Sequence, residues 1–149
     1  MVVARRTLTG LGGGVADPRE VGGNMGLHEA ALTRGIIGAA IEVHRHLGPG
    51  LLESTYKACL LHELRLQGLS VVSEVKVDVD YKGLVVPGGY RMAMVVDDRV
   101  VVELKAVERL MQVHEPQLLT YLRWSRCRVG LLINFHVRHL KDGLIRRVL

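Results

Sequence analysis

An almost continuous apolar run, RVGLLINF at residues 128–135, places the strongest constraint on the fold of this chain. A strand that is apolar on both faces has to be covered on both faces, and such strands lie inside sheets that carry helices on each side. Residues 71–81 instead alternate apolar and polar side chains, which is typical of a strand with one face in water. The two patterns together predict a mixed α/β fold.

Helical periodicity occupies three other segments of the chain. The predicted helices span His28 to Leu47, about Leu52 to Gln67, and His114 to Ser125, and further strands are predicted at 90–96, 100–105 and 144–149. The order α-α-β-β-β-α-β-(β) predicts an antiparallel meander, a crossover helix and a central returning strand. Residues 1–26 are glycine-rich and lack periodicity, so we predict a flexible N-terminal tail followed by one domain, residues 27–149.

Positive charge is concentrated near the C-terminus. Residues 121–149 contain seven Lys or Arg and one acidic residue, within a formal net charge of +5 for the whole chain. Such a patch attracts DNA or RNA through phosphate contacts, although a solvated basic surface without a partner has the same composition. The candidate nucleic-acid contacts are Arg123, Arg126, Arg128, Arg138, Arg146 and Arg147.

Several classes of protein are excluded or disfavoured by what the sequence lacks. Two cysteines, Cys59 and Cys127, without CxxC spacing cannot form a disulfide framework or a four-cysteine metal site. The phosphate-binding GxxxxGK[ST], dinucleotide-binding GxGxxG and serine-hydrolase GxSxG motifs are absent. No apolar run reaches the length of a membrane span and no signal segment is evident, so we predict a cytoplasmic protein without membrane contact.

Glu103 and Lys105 form the first candidate for chemistry. Side chains two apart on a strand share a face, so a carboxylate and an ammonium lie side by side. In phosphodiester hydrolysis a carboxylate can hold Mg²⁺, while a lysine can position water or stabilise charge developing on phosphate. An ordinary charged pair on a wet strand is the alternative, but apolar neighbours surround these two residues, and charges in such surroundings need partners.

Two helices carry further polar candidates. Gln117 and Tyr121 are four residues apart on the third helix and therefore share a face, where they could contact phosphate, orient a water or simply face solvent. Glu53 begins the second helix, where it could cap the helix N-terminus or reach a metal.

With these residues assembled, the sequence resembles the bacterial GxxExxY proteins, a branch of the PD-(D/E)XK nuclease superfamily, from about residue 30 to residue 148. The naming motif reads Gly50 to Tyr56 (GLLESTY), and the blocks VVVELKAVE, HEPQLLTYL and RVGLLINF follow in the same order. The resemblance implies a restriction-endonuclease-like core, with a mixed central sheet flanked by helices, that hydrolyses DNA or RNA with Mg²⁺ or Mn²⁺.

The resemblance also implies a role for each candidate residue. Glu103 would be a metal ligand, helped by the backbone carbonyl of Leu104 and by Glu53 as an accessory acid. Lys105 would be the catalytic lysine, and Gln117 and Tyr121 would face the site from the third helix.

Ala93 departs from the family pattern. Residues 90–94 read YRMAM where the family resembles Tyr-Arg-x-Asp-Leu, so alanine stands where a metal-binding aspartate is expected. Because few protein ligands hold Mg²⁺, this change predicts an inactive or very weak nuclease. Three explanations stay open: an inactivating substitution made for study, a natural loss, or rescue by Asp97 or Asp98.

If the activity was lost naturally, the protein would have a function other than cleavage. A nuclease-like fold without chemistry could serve as a nucleic-acid-binding or protein-interaction module. The sequence is also compatible with a homo-oligomer.

Overall fold

The computed structural model describes residues 25–149, and their side chains from residue 29 onward. Three α-helices, one short 3₁₀ helix and five strands follow one another along this part of the chain. They are α1 (Met25–Leu47), α2 (Glu53–Leu66), β1 (Val71–Tyr81), β2 (Leu84–Val96), β3 (Val100–Lys105), α3 (His114–Ser125), β4 (Val129–Asn134), the 3₁₀ helix (Leu140–Gly143) and β5 (Leu144–Val148).

The five strands form one mixed sheet in the order β1-β2-β3-β4-β5. β3 and β4 are parallel, with Lys105 beside Asn134, and the other neighbouring pairs are antiparallel. A parallel pair needs a crossover, and α3 provides it between β3 and β4. The predicted α/β fold, consistent with a restriction-endonuclease-like core, is confirmed.

Apolar side chains pack on both faces of the sheet. On one face, α1 and α2 contribute residues such as Ile36, Tyr56 and Leu60 to a core that includes Val102 and Ile133 of the strands. The opposite face is covered by α3. There the second core consists of Val75, Val77, Met92, Val95, Val101, Leu118, Tyr121, Leu122, Cys127 and Leu132. Every residue of β4 is buried, as the apolar run 128–135 predicted.

β2 is longer than the pattern of apolar residues predicted. It begins at Leu84 and not near Tyr90, and it forms a long hairpin with β1. Two aspartates of β1 accept hydrogen bonds from glycine amides: Asp78 Oδ1 from Gly88 at 2.8 Å, and Asp80 Oδ1 from Gly83 at 2.9 Å. These contacts and the pairing with β1 extend the strand through Pro87, Gly88 and Gly89, whose residue types do not predict a strand.

The first helix begins at Met25, three residues before the predicted start. The predicted flexible tail, residues 1–26, lies outside the described residues except for positions 25 and 26, which are helical. Among the helices of the described chain, none has the length and apolar character needed to span a membrane.

Candidate active site

Glu103 lies where β2 and β3 separate. The ladder between these strands covers Met94 to Val96 and ends at the pair Met94 and Val102. One step further, the backbone N–H of Ala93 donates a hydrogen bond to Glu103 Oε1, with the N and O atoms 2.8 Å apart. A hydrogen bond to a side-chain carboxylate therefore replaces the backbone pairing here and connects the two strands where their ladder has ended.

Burial dominates the electrostatics of Glu103, whose side chain belongs to a residue only 8% exposed. Loss of hydration raises its pKa from the ordinary 4.5 to about 7. The Ala93 N–H and the charges of Lys105 and Lys57 lower this pKa, while the charge of Glu53 raises it. Near neutral pH the carboxyl group is therefore about half protonated, which weakens it as an anionic ligand.

Lys105 and Leu104 lie at the carboxyl end of β3. Lys105 is half-buried, on the same face of the strand as Glu103. Its carbonyl accepts a hydrogen bond from the Phe135 N–H at 2.9 Å, on the β4 side. Since carbonyls alternate along a strand, the Leu104 carbonyl points to the opposite side, where β2 has moved away. This placement is compatible with the predicted role of the Leu104 carbonyl.

Two charged residues of α2 lie close enough to Glu103 for their charges to act on its carboxyl. Glu53 occupies the first turn, and Lys57 follows one turn later on the same side of the helix. Lys57 forms an ion pair with Glu74 of β1. Arg91 Nε of β2 also lies 2.9 Å from a Glu74 carboxylate oxygen.

Glu74 is placed by an irregularity in β1. Its neighbours Ser73 and Val75 pair with Met94 and Met92, so Glu74 lies opposite Ala93 in the register. The backbone of Glu74 has a φ of 55°, a conformation that is uncommon for a residue with a side chain. The carboxylate that β1 places opposite Ala93 is thus already paired with two cations.

Aromatic side chains close the site on the α3 face. The rings of Tyr90 and Tyr121 stack with centroids 4.8 Å apart, and Trp124 meets Tyr90 edge-on at 4.9 Å. Burial, followed by the charge of Glu103, raises the pKa of Tyr121 to about 12. Burial, followed by Tyr121, also raises the pKa of Tyr90. Gln117 is half-buried, one turn before Tyr121 on the same side of α3.

Position 93 supplies no group for a metal ion. Ala93 offers a methyl group and a backbone donor, and that donor occupies one oxygen of Glu103. Within residues 25–149, no three His, Cys, Asp or Glu side chains are grouped so that they could hold a metal. The residues present therefore do not fit the divalent ion that the sequence predicts.

Rescue by a neighbouring acid has no support from the geometry. Asp97 and Asp98 lie in the β2–β3 turn, at the far end of the ladder from Ala93. The Oδ1 atom of Asp97 accepts a hydrogen bond from the Ser70 N–H at 2.9 Å.

The six C-terminal arginines do not lie together. Arg126 and Arg128 precede β4, Arg138 follows it, and Arg123 is in the last turn of α3; all four are exposed. Two more lie on β5. Of these, Arg146 is exposed, while the guanidinium of Arg147 is paired with the carboxylate of Glu115.

Sequence reasoning missed three residues around the site: Lys57, Glu74 and Tyr90. Lys57 could have been found from its spacing of four residues after Glu53 on one helix. The other two had no local signal, because β1 alternates regularly through Glu74 and Tyr90 reads as the first residue of a strand.

Comparison with known proteins gives a family and no individual relative. A family model described as the PD-(D/E)XK nuclease superfamily matches residues 30–148, which is nearly the whole described chain. No curated protein and no solved structure matches the chain.

Proposed function

Because the chain belongs to the PD-(D/E)XK nuclease superfamily, we propose that it is a DNA- or RNA-cleaving domain whose own cleavage activity is lost or very weak through Ala93. We also place it in the GxxExxY branch, on the motif from Gly50 to Tyr56. The observation that supports the proposal is electrostatic: where β2 and β3 separate, the charges of Lys105 and Glu53 act on the buried carboxyl of Glu103. The charge of Glu103 acts in turn on the Tyr121 hydroxyl.

Each group in this site has a role suited to a phosphodiester. The Lys105 ammonium, carried at the end of a buried strand, can neutralise a phosphate oxygen and the charge that develops there. Tyr121 of α3 lies within reach of the charge of Glu103, and Gln117 is one turn earlier on the same side of the helix. From there a phenol and an amide can donate hydrogen bonds to the same phosphate. These contacts bind and orient a strand without cleaving it.

Ala93 affects the cleavage step, because it removes a carboxylate that would bind a metal. PD-(D/E)XK nucleases generally use divalent metals, and the described residues of this chain do not assemble a set of ligands for one. In addition, a Glu103 carboxyl with a pKa of about 7 lacks a cation strong enough to keep it ionised. We infer that a carboxylate at position 93 would supply the missing ligand, and that a divalent cation bound there would in turn favour the ionised form of Glu103.

The test is the substitution Ala93→Asp, assayed on plasmid, linear duplex and single-stranded DNA, and on RNA, with Mg²⁺ or Mn²⁺. Even residues outside the ligand shell of a metal change activity about 10- to 100-fold, so restoring a direct ligand should raise the cleavage rate by ~100-fold or more. Ala93→Asn is the matched control, because it has the same size and no charge. Glu103→Ala in the Ala93→Asp background should abolish the gain.

A second readout does not depend on the choice of substrate. Without metal, Ala93→Asp places a carboxylate beside Glu103 and Glu74, so the variant should melt at a lower temperature than the parent chain. Mg²⁺ should reverse this loss in Ala93→Asp and leave Ala93→Asn unchanged. If Ala93→Asp neither cleaves any of the four substrates nor responds to Mg²⁺, the proposal is wrong.

A second candidate function is a nucleic-acid-binding module without chemistry. It is favoured by the exposed arginines of the C-terminal segment. This candidate predicts that the parent chain binds DNA or RNA with an affinity that falls steeply with salt. It also predicts that Ala93→Asp binds and does not cleave.

A further inference from the structure

A basic cleft lies between the end of α1 and the loop that follows β4. Its volume is about 480 Å³, and Arg45, Arg138 and Lys141 supply its charged walls, beside the turn at Gly48 and Pro49. None of the residues that line it, all within the described part of the chain, is acidic. Arg45 is balanced by Glu42, whose carboxylate lies 3.6 Å away. Arg138 and Lys141 are therefore the cations that a ligand would meet.

The loop that carries these cations is held to the core at two points. The buried ring of His44 donates a hydrogen bond from Nε2 to the carbonyl of Val137, at 2.7 Å. Leu140, which is 5% exposed, inserts into the core beneath α1. Arg138 and Lys141, both exposed, lie next to these anchors on a framework that is already ordered.

A short series of contacts connects the cleft with Lys105. The Phe135 N–H binds the Lys105 carbonyl at 2.9 Å, and the Phe135 ring stacks on Tyr56 with centroids 4.6 Å apart. The Tyr56 hydroxyl in turn donates to the carbonyl of Gly48, which lines the cleft, at 2.5 Å. The cleft and the Glu103–Lys105 site thus share one end of the sheet, where β3 and β4 finish.

We propose that this cleft binds a backbone phosphate of the same nucleic-acid strand that occupies the Lys105 site, an inference that rests on the proposed function. Guanidinium and ammonium groups are the usual partners of phosphate oxygens. Arg138 is suited to this contact by its position after β4. Arg126 and Arg128, at the start of the same strand, lie roughly 20 Å away along its axis.

The experiment compares two double variants that lose the same charge. Arg138→Gln with Lys141→Gln removes the cleft cations. The control is Arg65→Gln with Arg99→Gln, two exposed residues at the far end of α2 and in the β2–β3 turn. Binding of a short fluorescein-labelled DNA, duplex or single-stranded, is followed by anisotropy from about 50 to about 200 mM salt. Thermal melting shows that each variant is folded.

The cleft variant should bind at least tenfold more weakly at ~0.1 M salt. The slope of log K against log salt should fall by about 1, because the cleft holds one phosphate and each lost phosphate contact contributes about 0.9 on duplex DNA. The control should keep the slope of the parent chain. Equal slopes and affinities in the two variants would overturn the proposal, and so would a parent chain that binds neither form of DNA.

The outcome is separable from that of the proposed function. If Ala93→Asp cleaves while the cleft variant binds like the parent chain, the cleft is not a phosphate site and the nuclease assignment stands. If Ala93→Asp does not cleave but the cleft variant loses affinity, the cleft binds nucleic acid and the nuclease assignment fails. Inorganic phosphate, added at constant ionic strength, should compete with DNA at the cleft of the parent chain and of the control. If phosphate displaced DNA equally from the parent chain and from the cleft variant, the proposal would also be overturned.

Discussion

Replacing Glu103 with glutamine should make the protein more stable at neutral and alkaline pH. Glutamine has nearly the shape of the protonated acid, and its amide oxygen can still accept the hydrogen bond from the Ala93 N–H. What it removes is the negative charge, which a residue only 8% exposed can hold only at a cost in free energy.

The size of the effect follows from the pKa. A folded-state pKa of about 7, against 4.5 for the ordinary group, means that the folded protein binds the proton more tightly than the unfolded chain. The protonated carboxyl therefore contributes its full stability below about pH 4.5, and this contribution is lost as pH rises through about 7. The pKa difference corresponds to ~3 kcal/mol when the loss is complete, near pH 8.

The assay is urea unfolding of the parent chain and Glu103→Gln, with a chelator present, at several pH values from about 4.5 to about 8.5. The stability difference should grow from less than ~1 kcal/mol at the acidic end to ~3 kcal/mol at the alkaline end, with unchanged m-values. Glu108→Gln, which removes an exposed carboxyl of a loop, controls for the change in net charge. Parallel stability curves for the parent chain and Glu103→Gln would refute the reasoning.

Two further substitutions test the parts of the fold that hold the site and the cleft. Gly143→Ala should lower the free energy of unfolding by roughly 2 kcal/mol or more, because its new Cβ would overlap the carbonyl oxygen of Asn134. Gly38→Ala is the control, since there is open space around its new Cβ, and it should be neutral or stabilising. Equal effects of the two substitutions in urea titrations would contradict this. Tyr56→Phe removes the hydroxyl that donates to the Gly48 carbonyl and accepts from the Leu51 N–H, so it should cost about 1 kcal/mol and lower the melting temperature. An unchanged melting temperature would show that these two hydrogen bonds contribute nothing.

Much of the fold could be predicted because its signals are local. The alternation in 71–81, the apolar run in 128–135 and the helical repeat from His114 to Ser125 each repeat over a few residues, and the strands and helices formed there match the predicted bounds closely. β2 could not be predicted in full. Its first half pairs with β1 through hydrogen bonds across the hairpin, and a glycine-rich stretch gives no sign of a distant partner.

The candidate site divides in the same way. That Glu103 and Lys105 share a face follows from the period of a strand, and the absence of a carboxylate at position 93 is visible in the letters of the sequence. The elevated pKa of Glu103 could not be predicted from the sequence, because it depends on burial between elements that are far apart along the chain. The same holds for the pairing of Lys57 with Glu74 opposite Ala93.

The sequence by itself determined the type and order of the three α-helices and the five strands, and the residue types available for chemistry. Only the tertiary structure decided which charges meet. It separated Arg138 from Arg126 and Arg128 by the length of β4, and it brought Arg138 to the end of the sheet where Lys105 lies. The physical reason is that periodicity acts over one or two turns, whereas hydration and charge act through space, among side chains that only the folded chain brings together.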